Sequence, residues 1–405
     1  MDLRRRFSRT LQLVVLLFAC ASNCFGCEWD KDLDFPEHPP LIINNQLDFV
    51  LPVLEGVNRV VRVAEGETVT LACSGSELVN LGEAEVQARC LSSGLLTIGD
   101  AEWDLASLGC SSDVKETIFR DLGTCGAGGV GILNGIGFQI FSLNYDKVII
   151  NVCFEAASET TLFTDHILHG ADIAAKDVEA SRPSFKTSTG FFSVSMNTVY
   201  SQNSQLQLMT SILGDEDPAN TIIDPSKQLY FAKGHMSPDA GFVTIASQDA
   251  TYYFINALPQ WQAFNNGNWK YLETNTRNLA MKKGRDLRVY SGGWDVLELD
   301  DINGNPVKVF LGLTEGKEVV PAPAITWKVV HDESTNCAVA VVGVNNPHLT
   351  AAPATLCEDL CSSLSWITFD VSSLASGYTY RCSVAELRAS VPHVPDLGNV
   401  CLLTD

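Results

Sequence analysis

The chain has 405 residues, with 27 Lys and Arg against 48 Asp and Glu and a formal charge of −21 at pH 7. That length predicts two or three folding units, and 46% apolar with 19% charged residues excludes disorder and collagen-like structure. The acidic balance argues against a protein that coats nucleic acid through overall charge, yet leaves room for a local basic groove, because charges beyond about 10 Å are largely screened in salt.

In chain order, the first expected element is a secretory signal. Arg4, Arg5, Arg6 and Arg9 form a basic start, residues 11–21 a short apolar core, and Ala19-Cys20-Ala21 a small-residue cleavage site. The apolar run is too short to cross about 30 Å of hydrocarbon, so no membrane span is expected. Cleavage after Ala21 removes four arginines and Asp2 and leaves −24; a cut near Gly26 is the alternative. No Asn-x-Ser/Thr sequon occurs, so N-glycosylation is not expected. The remaining cysteines are Cys24, Cys27, Cys73, Cys90, Cys110, Cys125 and Cys153, then Cys337, Cys357, Cys361, Cys382 and Cys401. This usage suits disulfides in an oxidising, extracellular setting rather than metal ligation. Both groups are odd in number, so complete internal pairing requires at least one bridge between them, unless cleavage falls after Cys24.

Residues 22–170 read as β-rich. Residues 60–73 alternate and turn at Glu65-Gly66. Their pattern resembles an immunoglobulin strand but lacks the Trp and the Tyr-x-Cys that would accompany it. Gly126-x-Gly128-x-x-Gly131 matches a dinucleotide fingerprint formally, but it lies beside Cys125 with no clear buried strand before it and reads as a loop. In 171–350, strands are expected at 191–200, 229–232 and 250–256. A helix is expected over 267–282, where Trp269, Leu272, Thr276 and Leu279 recur at helical spacing before Gly284. Residues 296–299 and 307–311 flank Asn303-Gly304 as a hairpin. Its Asp301-x-Asn303-x-Asn305 run has Pro306 where a calcium loop needs glycine. Residues 351–405 form a cystine-rich tail.

Chemistry concentrates between 231 and 277, where His235, Asn256, Gln260, Asn265, Asn266, Asn268, Glu273 and Arg277 surround two tryptophans. Asn265, Trp269, Glu273 and Arg277 step by four, which puts the last three on one helix face and Asn265 at or just before its start. Such a face suits a hydrated divalent ion beside a phosphate; the plain alternative is a surface helix with a Glu-Arg pair. From 270 to 288, Lys270, Arg277, Lys282, Lys283, Arg285 and Arg288 outweigh Glu273 and Asp286, a local +4. This reads as a track for the phosphate backbone, or as cations favouring a helix C-terminus. Few base-reading features are visible, so weak sequence preference is expected.

The segment resembles the DNA/RNA non-specific endonuclease family, the ββα-metal (His-Me finger) nucleases. The resemblance rests on Lys233-Gly234-His235, Asn256-x-x-Pro259-Gln260, and Asn265-x-Gly267-x-Trp269-x-x-x-Glu273-x-x-x-Arg277. Trp327-Lys328 and Val344-Asn345-Asn346-Pro347 resemble its later core strands. The likeness is strongest to secreted insect nucleases of gut and saliva, the dsRNase-like proteins. It implies an α+β fold: a ββα-metal core with an N-terminal β-rich extension and a disulfide-rich C-terminal tail. The expected division is signal 1–21, β-rich region 22–170, endonuclease unit 171–350 and tail 351–405.

The activity implied is that of a secreted, Mg²⁺-dependent, sugar-non-specific endonuclease on DNA and RNA, leaving 5′-phosphate ends, with Mn²⁺ as the alternative ion. His235 would be the general base, Asn265 the metal ligand, Glu273 the acceptor for a metal-bound water and Arg277 the phosphorane partner. Asn256 and Gln260 would brace the site by hydrogen bonds. Lys233 stands where the family usually has Arg, and a lysine cannot grip two phosphate oxygens as a fork. The family's other arginine, sought on an earlier strand, is not located. DNA and RNA are the expected partners, with no specific protein partner. A nuclease-derived nucleic-acid binder with little turnover is the first rival, favoured by Lys233. A protein-binding molecule using the N-terminal region is the second, with no positive support.

Overall fold

Alternating apolar residues build the first part of the chain. Strand Asn58–Ala64 buries Val60, Val61 and Val63, and turns at Gly66 into Thr68–Ala72 as expected. The computed structural model describes residues 25–178, 182–214, 216–313, 317–360 and 363–405; the expected signal over 1–21 lies outside them. Strands Phe25–Asp30, Asn58–Ala64 and Val53–Glu55 form a three-stranded sheet. Leu41–Ile43, Thr68–Ala72, Glu85–Cys90, Leu96–Ile98 and Ala101–Trp103 form a five-stranded one. Cys27–Cys90 ties the two sheets together, and Cys73–Cys110 pins the second to the segment that follows it.

The centre is a nine-stranded sheet. Its path runs Thr379–Cys382, Cys337–Val344, Pro323–Asp332, Leu287–Val296, Thr160–Leu168, Tyr145–Glu155, Gly131–Ile140 and Thr117–Cys125, all antiparallel, with Cys401–Leu402 added in parallel to Cys337–Val344. The inner strands are buried on both faces, so their apolar runs are nearly continuous. Alternation still sorts the faces: Val330 and Val339 pack towards Leu279 and Ala280, while Trp327, Val329, Ala340 and Val342 pack towards Tyr380 and Leu387. This sheet runs across the division expected at 170/171 and takes strands from the expected tail. Long-range pairing of that kind leaves no mark in local periodicity.

Two short antiparallel strands, Phe231–His235 and Ala257–Trp261, precede helix Lys270–Lys283, which Gly284 caps. The expected hairpin at Asn303-Gly304 is present as Glu298–Asp300 against Pro306–Lys308. Gly126–Gly131 is a loop with a short turn, and Gly131 opens a strand rather than a helix. Three expectations change. Residues 191–200 are not a strand: neighbouring Phe191 and Phe192 both pack on Phe154, at 5.0 and 5.4 Å, which a strand's alternation forbids, and Met196–Val199 is helical. Residues 250–256 are turns, because Asn256 folds back to bond the Thr251 carbonyl, and the strand starts at Ala257. The helix begins at Lys270, not 267: Gly267 (φ −92°, ψ −124°) interrupts the turns carrying Asn265.

The resolved pairings also include Cys125–Cys153, Cys337–Cys401 and Cys357–Cys382, so every described bridge joins cysteines of one group. Cys24 and Cys361 lie outside the described residues, and the expected bridge between the two groups is not among the described pairings. Among the described residues no helix is long and apolar enough to cross a membrane.

Candidate active site

Gly234 sits between Lys233 and His235 because nothing larger fits: a Cβ there would lie 2.1 Å from Gln260 Oε1 on the paired strand. His235 closes the strand with its ring between Phe185, at 4.8 Å, and the edge of Tyr252, at 4.8 Å. Its Nε2 lies 3.4 Å from Thr251 Oγ1, whose hydroxyl donates to the Gln248 carbonyl at 2.7 Å. Thr251 can therefore only accept from His235, which assigns the proton to Nε2 and leaves Nδ1 as the basic nitrogen. Burial pushes the His235 pKa down to about 4, with Asp239 opposing and Arg182 assisting, so the ring is neutral at pH 7.

Asn256 is fully buried and braces the turn after His235: its Oδ1 accepts from Ser237 N at 3.0 Å, and its Nδ2 donates to the Ser237 and Thr251 carbonyls. Gln260 differs from the expectation. Its Oε1 is buried and has no hydrogen-bond partner among the described residues, so it contributes through packing against Gly234.

On the facing helix, burial pushes the Glu273 carboxyl up to about 7 despite the pull of Lys328 and Arg277. Burial also lowers the Arg277 pKa, and its guanidinium donates to Thr274 Oγ1 at 3.0 Å. Glu273, Arg277, Lys328, Thr276 and His166 line a cavity of about 10 Å³, room for roughly one water. Asn265 gives its Nδ2 hydrogen to Gln262 Oε1 at 3.3 Å, and no hydrogen bond reaches its Oδ1 among the described residues. No group of three His, Cys, Asp or Glu that could hold a metal occurs among them either. A single free amide oxygen fits a hard cation that keeps most of its waters, and does not fit a fully protein-ligated ion. The turn is held from the tail. Asn268 bonds the carbonyls of Asp370, Ser376 and Gly377, and a Cβ on Gly267 would lie 2.6 Å from the Ser376 carbonyl.

The structure adds residues that sequence reasoning missed. Arg182 lies in a loop rather than on a strand, with Nε 3.2 Å from Asp239 Oδ2, and its charge acts on both His235 and Glu273. Asp239 also accepts from the Tyr252 hydroxyl at 2.8 Å; burial alone would raise its pKa, but His235, Tyr252 and Arg182 hold it below the ordinary value. Lys328 is buried with Nζ 2.5 Å from Ser291 Oγ and 5.3 Å above Trp269, and burial lowers its pKa to about 8. A lysine inside an otherwise apolar, fully buried run was the available signal. Lys233 is half-buried over Phe185 and Phe254, at 5.4 and 5.3 Å, with burial lowering its pKa.

The expected phosphate track needs correcting. Arg285 pairs with Asp332 at 3.0 Å, and Lys283 lies 3.8 Å from the same carboxylate and bonds the Asp405 carbonyl. Arg288 pairs with Asp165 at 2.8 Å and Glu333 at 2.7 Å. These three carboxylates arrive from distant strands and loops and offset most of the local +4. Lys270, Arg277 and Lys282 of that set have no ion pair with a carboxylate among the described residues, and Arg277 bonds Thr274 instead.

Residues 136–387 match the model of a family described as DNA/RNA non-specific endonuclease. A salivary endonuclease of Lutzomyia longipalpis is 28% identical over 290 residues, 71% of this chain and 67% of that one. Salivary protein Tsal1 of Glossina morsitans morsitans is 22% identical over 376 residues, 90% of this chain and 92% of that one. The solved EndoG/EndoGI complex is 17% identical with a TM-score of 0.38, covering 61% of this chain and 83% of that chain.

Proposed function

Because the chain belongs to the DNA/RNA non-specific endonuclease family and is a nuclease hydrolase, we propose that it cuts DNA and RNA with a divalent metal, using His235 as general base. The observation that carries this reading is the neutral His235 ring, whose Nδ1 has no hydrogen-bond partner among the described residues, set beside Arg182, Asp239 and the Glu273-Arg277 helix face. The strands ending at His235 and Trp261, with the following helix, are the ββα-metal unit in this reading. The five described disulfides support a secreted, extracellular protein.

His235 Nδ1 takes a proton from the attacking water. Arg182, Lys233 and Arg277 bind phosphate oxygens; the two guanidiniums supply the forked contacts that Lys233 cannot. Glu273, ionised, holds a water by accepting its hydrogen. Mg²⁺ at Asn265 Oδ1, with Mn²⁺ as the alternative, would polarise the phosphate and stabilise the leaving 3′ oxygen. His235 then carries the proton until solvent removes it. The expelled 3′ oxygen takes a proton from solvent water, giving 3′-hydroxyl and 5′-phosphate ends.

Purified protein incubated with plasmid and with RNA tests the reading. Cleavage of both in Mg²⁺, none in EDTA, and ligatable 5′-phosphate products are expected. Binding to plasmid without nicking would support the non-catalytic rival instead.

Salt dependence checks the revised basic surface. With Arg182, Lys233, Arg277 and Lys270 on phosphates, log Kd should change with log salt at a slope of magnitude about 3 to 4. Lys270→Ala should flatten the slope by about one unit, and Lys283→Ala should leave it in place. Anisotropy with His235→Ala protein measures both; equal effects would restore the longer track.

A further inference from the structure

Asp177 and Lys186 flank Arg182 and Phe185 in sequence, and both are tied to parts of the chain that precede the family-matched region. The buried Asp177 carboxylate accepts Lys31 Nζ at 2.5 and 2.6 Å, Arg59 Nη1 at 2.6 Å and the Ile245 amide at 3.0 Å. Lys31 and Arg59 belong to the three-stranded N-terminal sheet and its edge, where Lys31 N donates to the Arg59 carbonyl at 2.8 Å. Lys186 Nζ meets the buried Glu116 carboxylate at 2.5 Å, just before strand Thr117–Cys125. The Lys186 backbone pairs with the turn behind His235: its N–H donates to the Tyr252 carbonyl at 2.7 Å, and its carbonyl accepts from Phe254 N at 3.2 Å. Between these two anchors, Arg182 reaches Asp239 and Phe185 packs on His235, 5.4 Å from Lys233 Nζ.

We propose that the N-terminal β region is a positioning element of the catalytic site: Lys31, Arg59 and Glu116 hold Asp177 and Lys186 so that Arg182 and Phe185 stand against Asp239 and His235. This rests on the reading of His235 as the general base. Two cations on one buried carboxylate form a tight joint, because such charges are costly to leave unpaired. Phe185 is a wall for the imidazole, and Arg182 delivers a charge to the phosphate position. Neither is held there by the endonuclease core alone. A displacement of about 1 Å at such a site is enough to cost on the order of 10²-fold in rate.

The test uses the full chain and compares Lys31→Met/Arg59→Met and Asp177→Asn with Arg59→Lys and with Arg62→Met. Arg62 pairs with the exposed carboxylates of Glu28 and Glu55 in the same small sheet and not with the buried Asp177, so it controls for loss of a sheet cation. Plasmid nicking is measured well below each variant's melting temperature. The double variant and Asp177→Asn should lose about 10²-fold in kcat/KM, mainly in kcat. Arg59→Lys should recover most of it, and Arg62→Met should match the parent. Amide exchange at Lys186 and Phe254 should accelerate in the first two variants only. Parent-like kcat and parent-like exchange in the double variant would overturn the proposal. A parent chain that cuts nothing would overturn the nuclease reading, and the exchange comparison would still decide the coupling.

Discussion

His235→Ala is expected to lose at least about 10²- to 10⁴-fold in cleavage, the range that a positioned general base contributes, with nucleic-acid binding retained. The ring stands neutral at pH 7 with its proton on Nε2, so Nδ1 is the nitrogen able to accept a proton. Alanine removes that acceptor and leaves Arg182, Lys233 and Arg277 to bind phosphate. Single-turnover nicking, with anisotropy for affinity, separates the two effects. A near-parental rate would remove His235 from the chemistry, while a parallel loss of binding would make it a structural residue. The pKa of about 4 also places this group's acid limb well below the ordinary 6.5.

Glu273→Gln should abolish most activity and at the same time stabilise the fold at alkaline pH. The folded-state pKa of about 7 lies above the ordinary 4.5, so the protonated carboxyl is the form that folding favours. Its stabilising contribution is fully present below 4.5 and is lost as pH rises through 7. At pH 8 the ionised side chain costs roughly 3 kcal/mol at most, and glutamine avoids that cost. Urea unfolding in EDTA should show a gain near zero at pH 4 that grows towards pH 8. In the parent enzyme, kcat/KM should rise with pH through about 7 as Glu273 ionises, above the His235 limb. Residual activity of Glu273→Gln should lack that limb. A variant no more stable at pH 8 than at pH 4 would show that the carboxylate is not buried at cost.

Local patterns were legible where local physics decides. The Gly66 turn, the Asn303-Gly304 hairpin and the Leu272-Thr276-Leu279 helix face follow from turn chemistry and spacing. The same reasoning failed where distant side chains intervene. Phe191 and Phe192 read as part of a strand until Phe154, far away in sequence, draws both rings to itself. The cations of 283–288 looked free because Asp165, Asp332 and Glu333 reach them only through sheet pairing. Within the candidate site, His235, Asn265, Glu273 and Arg277 were visible as a spaced motif. Arg182 and Asp239 were not, since their meeting depends on a loop crossing the site. Lys328 is positioned from the opposite strand, so no spacing within one helix could reveal it.

The turn that carries Asn265 leans on Ser376 and Gly377, and the central sheet is completed by strands as late as Thr379–Cys382 and Cys401–Leu402. A chain lacking residues beyond 375 would therefore have the candidate site without this support. Partly made protein carries the motif but not the geometry, and Cys337–Cys401 and Cys357–Cys382 close the late segment only where thiols are oxidised.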